Sequence, residues 1–214
     1  MHKRDLRDDD WNPVGGDPAL NYGNTVEIDE GVVDVEWLHS YVDVVYFTVS
    51  SGLLAPDDAD SLNDALRFAS GAEHEQLFEQ ALHLRHTIRQ IFAAHAQGEK
   101  PSPLDVVELG KWLAQAGQLR KLGLKDGDAQ WIWRDQGNLL APLYRIAWAA
   151  AELLTGDHVD QVRQCEAGDC DLLFVDVTRN HSRRWCSMDD CGNRAKARRH
   201  YERVKKKKQS AGSG

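Results

Sequence analysis

The sequence has no long apolar run. Its longest uncharged one, Ile146 to Ala151, is six residues, against the roughly 20 that a bilayer-spanning helix needs. The amino terminus also lacks the apolar core of a signal peptide, since Met1 to Asp5 is charged and leads into Asp8-Asp9-Asp10. A cytoplasmic protein without a membrane partner is therefore expected. Positive charge is in deficit, with 26 Lys and Arg against 34 Asp and Glu, a formal net of −8. Taken as a bulk value, that argues against a nucleic-acid partner. No Gly-rich phosphate loop, G-x-S-x-G elbow, paired acid and base, or internal repeat occurs, so an enzyme is not expected. What is present is a 42% hydrophobic fraction over 214 residues, enough for a real core and incompatible with a wholly disordered chain.

Cysteine is absent from the first 164 residues, and all four cysteines lie between Cys165 and Cys191. The spacing is Cys165-x4-Cys170-x15-Cys186-x4-Cys191, two short knuckles joined by a hairpin-length connection. A chain without a secretory signal keeps thiols reduced, so disulfides are the weaker reading. Four thiolates in this pattern suit the closed tetrahedral shell of one structural Zn²⁺, which leaves no open position for a substrate.

Charge divides at the same place. Residues 1–164 carry 14 basic and 27 acidic side chains, a net of −13, whereas residues 165–214 carry 12 and 7, a net of +5. All twelve basic residues of the second part fall between Thr178 and Lys208. The bulk value thus averages two segments of opposite sign.

Hydrophobic periodicity predicts a mainly α protein with a small β-hairpin, in which a helical N-terminal domain precedes a treble-clef-like four-cysteine zinc module. Residues 1–16 read as a flexible acidic lead-in and 17–160 as the helical domain. Val32 to Leu54 reads as one helix, although its β-branched content also suits a strand. Pro56 to Phe68 follows as a short helix. Leu77, Ala81, Leu84, Ile88, Ile91 and His95 mark one apolar stripe on a helix from Glu73 to about Gln97. Ser102 with Pro103 starts another through Gln118, burying Val106, Leu109, Trp112 and Leu113. Leu119–Leu124 and Gln130–Arg134 form a hairpin about an Asp126-Gly127 turn, with Trp131 and Trp133 on one face. They would cover the core or floor a ligand pocket. A last apolar helix spans about Asn138 to Thr155, ending at Gly156.

In the cysteine module, Leu172–Asp176 reads as a strand that turns at Thr178–Ser182 and returns through Arg183–Trp185 to Cys186. A basic helix with the narrow apolar stripe Ala197, Tyr201 and Val204 follows Cys191. The strings Gln164-Cys165, Asp169-Cys170, Leu173-Phe174-Val175-Asp176, Ser182-Arg183-Arg184-Trp185-Cys186 and Cys191-Gly192-Asn193-Arg194 closely resemble the CGNR zinc finger. Upstream, Asn24-Thr25, the Leu84-Arg85 region and the helix from Asn138 to Gly156 resemble the helical ABATE domain that precedes this finger in bacterial proteins; Tyr22-Gly23 stand where that family tends to have larger apolar residues. The resemblance implies an ABATE-like sensor or regulatory domain over 17–160, a CGNR-type finger over 161–208 and a disordered tail over 209–214. It also implies a bacterial transcription regulator.

Twelve positive charges in 31 residues would release several counterions from a phosphate backbone. Arg179, Arg183, Arg184, Arg194, Lys196, Arg198, Arg199 and Arg203 are the candidate nucleic-acid contacts, to DNA first and RNA second. The bland alternatives are a solvated tail and charge compensation for a four-thiolate zinc that carries −2. Trp185 is a core residue or a base-stacking one. Glu79, His83 and His86 share a helical face but specify no fourth metal ligand. Arg85 and Arg89, with Asn24 brought near by the family resemblance, would either pair with carboxylates or hold a small anionic effector. A homodimer is compatible with the helical domain, and a protein-interaction adaptor using the basic module is the reading from another class.

Overall fold

A computed structural model describes residues 2–29 and 32–211. In chain order the elements are β1 (His2–Lys3), α1 (Pro18–Gly23), β2 (Val26–Asp29), β3 (Val32–Glu36), α2 (Tyr41–Ser50), α3 (Pro56–Arg67) and α4 (Gly71–Ala96). There follow α5 (Pro103–Ala116), β4 (Arg120–Lys125), β5 (Asp128–Trp133), α6 (Ala141–Thr155), β6 (Val162–Gln164), β7 (Leu173–Val175) and α7 (Asn193–Ala211). Helix dominates, and α1, α2, α4 and α6 surround the core.

Local chemistry explains the boundaries. Ser70 and Glu73 form a reciprocal capping box at the start of α4, in which Ser70 N donates to Glu73 Oε2 at 2.8 Å. The helix then buries the expected stripe of Leu77, Ala81, Leu84, Ile88 and Ile91. Ser102 caps α5 with Pro103 at its first position. The turn joining β4 to β5 has Asp126 and Gly127 both at positive φ, 55° and 92°, the geometry of a type I′ hairpin turn.

Four expectations are corrected. Val32 to Leu54 is not one helix, because Val32, Val33 and Val35 pair as β3 between β1 and β2, and helix begins only at Tyr41. β-Branched side chains are stiff and fit the pleat, and here the sheet claims them. Val106 is 40% exposed, since the buried side of α5 runs through Leu109, Trp112 and Ala116. Of the two hairpin tryptophans, Trp133 packs edge-on against Trp148, while Trp131 is half exposed. In the cysteine module, Leu173–Val175 does not pair with a returning strand at Arg183–Trp185; its partner is β6, which precedes the first cysteine.

Part of the acidic lead-in joins the structure. His2 and Lys3 pair with β3, Leu6 is buried and Trp11 stacks edge-on against Trp37. At the other end α7 continues through Ala211, into the segment expected to be a disordered tail, and residues 212–214 lie outside the described residues.

The β6–β7 ladder positions the site. Along β7 the side chains alternate, so that Leu173 and Val175 enter the main helical core with Val162, whereas Phe174 enters a second cluster with Cys165, Cys186 and Cys191. One three-residue strand is therefore a wall shared by both cores.

Candidate metal centre and the basic groove beside it

Cys165 leaves β6 with its N–H donating to Leu172 O at 2.9 Å, and a turn in which Cys170 N donates to Ala167 O brings the second thiol back. The other two cysteines flank a turn capped by Ser187, whose Oγ accepts from Asp190 N at 3.4 Å. A one-turn π-helix, Met188–Gly192, then places Cys191 at the foot of α7. A side chain at Gly192 would meet Met188 Sδ at 2.6 Å, so the half-exposed Met188 side chain would have to move to admit one.

All four Sγ atoms lie within 4.8 Å of one another, with Cys170 to Cys186 at 3.7 Å and Cys186 to Cys191 at 3.6 Å. A tetrahedral ion with metal–sulfur bonds of about 2.3 Å sets its ligands roughly 3.8 Å apart. The donor set therefore fits a tetrahedral thiophilic metal ion. Among the described residues these cysteines are the only such group, and the Glu79, His83 and His86 set is not brought together as one. Hydrogen bonding from Cys170 and Cys186 drives the Cys165 thiol well below the usual thiol range, whereas burial first of all raises Cys191. Arg194 donates from Nη2 to Cys191 Sγ at 3.2 Å. Burial would lower its pKa, but the negative charges of Cys191, Asp190 and Asp169 outweigh this and raise it. Arg183 donates to the carbonyls of Trp185 and Cys186 and stacks over Phe174, 4.3 Å from the ring centre.

The eight basic candidates separate by position. Arg184, Arg194, Arg198 and Arg199 line one groove of about 250 Å³ with Trp185, Ala167 and Gly168. Arg184 and Arg199 lie 5.2 and 5.9 Å from the Trp185 ring centre. Arg183 is turned inward as a strut of the second knuckle. Arg179 stands exposed on the turn after β7, and Lys196 and Arg203 are exposed on α7 away from the groove. The apolar stripe Ala197, Tyr201 and Val204 is uncovered, with Tyr201 69% exposed.

Sequence reasoning missed the counter-charges. Glu166 accepts from Arg184 at 2.7 Å, Asp190 accepts from Arg194 at 2.7 Å, and Glu202 and Asp169 lie 3.8 and 3.4 Å from Arg198 and Arg194. The i, i+4 spacing of Asp190 with Arg194 and of Arg198 with Glu202 was a readable signal. Nothing local marks the pairing of Glu166 with Arg184.

Asn24, Arg85 and Arg89 come together, but all their strong donors are engaged internally. Arg85 makes a two-pronged pair with Glu36 at 2.6 and 2.7 Å and donates to Thr25 O at 3.2 Å. Arg89 pairs with Asp171 and reaches the carbonyls of Gly23 and Val26. Asn24 bonds to the main chain of Leu173. Asn24 and Arg89 tie the helical domain to the cysteine module, Arg85 is held within the helical domain, and neither guanidinium is left facing an anion site. Tyr22, beside them, is fully buried and donates to Ala81 O at 2.8 Å.

Fold and site thus define a helical domain carrying a four-cysteine metal module. Residues 16–157 match the ABATE family, described as "Putative stress-induced transcription regulator", and residues 161–204 match the CGNR zinc finger. The chain belongs to the ABATE family, with a CGNR zinc finger behind that domain. No match was found among curated proteins. No helix among the described residues is long and apolar enough to cross a membrane.

Proposed function

We propose that the protein is a zinc-dependent, DNA-binding transcription regulator of the bacterial cytoplasm, with no catalytic activity. The helical domain serves effector binding or dimerisation, and the CGNR module engages DNA. The observation that carries this reading is the groove in which Arg184, Arg194, Arg198 and Arg199 surround Trp185 beside the four-cysteine centre. Guanidinium groups of this kind match phosphate oxygens in pairs of hydrogen bonds.

One Zn²⁺ held by Cys165, Cys170, Cys186 and Cys191 would cross-link the two knuckles and neutralise part of the thiolate charge. The chain's own residues do the rest. Arg183 and Arg194 hold the second knuckle against the foot of α7, and the groove arginines contact phosphates. The acidic helical domain repels DNA from the remaining surface.

The test is duplex-DNA binding by the zinc-loaded protein across a salt series. About four phosphate contacts give a slope of log affinity against log salt of roughly −3.6. Failure to bind any duplex at low salt would sink the proposal. The exposed stripe of Ala197, Tyr201 and Val204 favours a second reading, an adaptor that docks a protein through α7. Pulldown with and without nuclease separates the two, and competition between duplex DNA and structured RNA separates DNA from RNA.

A further inference from the structure

Arg85 and Arg89 give the helical domain no anion pocket, yet the domain does contain a cavity, and its chemistry is of the opposite sign. Between α4 and α5 lies a cavity of about 390 Å³ whose lining includes Glu79 and His83 from α4, Glu108, Lys111 and Trp112 from α5, and Leu140 ahead of α6. Trp112 is the aromatic residue of its lining, backed by Tyr144 behind it. Trp112 is 9% exposed and meets Tyr144 edge-on, ring centres 6.0 Å apart, while Tyr144 Oη donates to Gln115 Oε1 at 3.1 Å. The indole N–H of Trp112 has no hydrogen-bond partner among the described residues. At the rim, Glu108 is shared between Lys111 at 2.6 Å and His83 at 3.9 Å, whereas Glu79 makes no ion pair among the described residues.

We propose that this cavity binds a small organic cation, an amine or quaternary ammonium on an apolar or aromatic body. Three features converge on that class. Trp112 lines the cavity, and an indole attracts a cation through its quadrupole. Glu79 supplies an uncompensated carboxylate at the mouth. The surrounding residues 1–164 carry a net charge of −13, which concentrates cations and repels anions. An apolar floor with a few convergent polar groups is the usual build of a small-molecule site. Its role as the effector site rests on the proposed regulatory function, but occupancy itself does not depend on DNA.

The test follows the indole N–H resonances of the full-length zinc-loaded protein, seven for its seven tryptophans, with that of Trp112 assigned by Trp112→Phe. Phenylethylammonium and benzyltrimethylammonium are titrated beside the anion 3-phenylpropionate. Both cations are expected to move the Trp112 signal saturably. Glu79→Gln should weaken them roughly two- to tenfold, and Glu99→Gln, outside the cavity, should not. The proposal is overturned if neither cation moves the signal, if the anion binds as tightly, or if Glu79→Gln changes nothing. Because no DNA is present, failure here leaves the DNA-binding reading intact, and failure to bind DNA leaves this site intact.

Discussion

The side chain of Asn24 closes two hydrogen bonds on the main chain of Leu173, 149 residues away, donating from Nδ2 to the carbonyl at 2.8 Å and accepting from the N–H at 3.0 Å. An amide is the one side chain that mimics a strand edge in this way, offering a donor and an acceptor side by side. Since β7 is the wall between the two cores, this contact couples the helical domain to the metal module.

Asn24→Ala should therefore leave both Leu173 groups buried and unpaired, at a cost of about 1–3 kcal/mol each. Urea unfolding followed by far-UV circular dichroism measures this. Hydrogen exchange should show β7 losing protection before α4 and α6 do. Uniform loss across all three would contradict the coupling role.

Glu36 and Arg85 form a pair that is mostly buried, with side chains 14% and 9% exposed. Glu36→Ala strands a guanidinium and is expected to cost about 3–5 kcal/mol, while Glu36→Ala with Arg85→Met should recover much of that loss. A double-mutant cycle with additive effects would refute the pairing argument.

Metal removal should act locally at first. The main core includes Val162, Leu173 and Val175 without any help from the thiols. A chelator, or Cys170→Ser, should abolish DNA binding and release α7 while leaving most far-UV helical signal in place. Elemental analysis should return one zinc per chain before chelation. Global unfolding on chelation would show that the helical domain depends on the metal.

Three groove arginines, Arg184, Arg194 and Arg198, pair with carboxylates that a bound phosphate would have to displace. Glu166→Gln and Glu202→Gln should each raise DNA affinity about two- to fivefold, the scale of an exposed ion pair. Arg184→Ala and Arg198→Ala should lower affinity and flatten the salt slope by about one each. Lys196→Ala and Arg203→Ala, away from the groove, should do less. Fluorescence anisotropy at fixed salt ranks them.

Asp176 organises the turn after β7. It is fully buried, and its carboxylate accepts from Thr178 N at 3.0 Å, from Thr178 Oγ1 and from Arg183 N at 2.9 Å. Burial raises its pKa, but these hydrogen bonds outweigh it and hold the group below the usual aspartate value. A folded pKa below the unfolded one means stability that is present above about pH 4 and lost as pH falls through the folded value. Wild type should exceed Asp176→Asn in stability at pH 6, and the two should converge in acid. A gap that stayed constant from pH 6 down to the acid unfolding transition would contradict this assignment.

Much of the site was legible from sequence because its chemistry is local. The x4 knuckles announce the candidate metal ligands, since two thiols with four residues between them can reach one ion through a single turn. Helix α4 was legible because its apolar residues keep one period over about four turns, from Leu77 to Ile91, more than any competing pattern can match. Val32 to Leu54 was misread because Val-rich stretches suit either state, and the deciding factor was the presence of β1 and β2 alongside. The eight basic candidates could be counted but not sorted. Arg183 and Arg184 are adjacent in sequence, yet one braces the knuckle from inside and the other faces the groove.

The sequence by itself determined the four-thiol centre and the division of charge near residue 164. Both follow from residue type and spacing along the chain, which no packing arrangement can alter. Tertiary structure alone decided that the two parts are joined through β7, that Arg85 and Arg89 are spent on Glu36 and Asp171, and that a carboxylate-rimmed cavity lies over Trp112. Those outcomes depend on which charges and edges meet across long stretches of chain. A guanidinium has the same sequence signature whether it faces a buried carboxylate or solvent, and only the fold chooses between them.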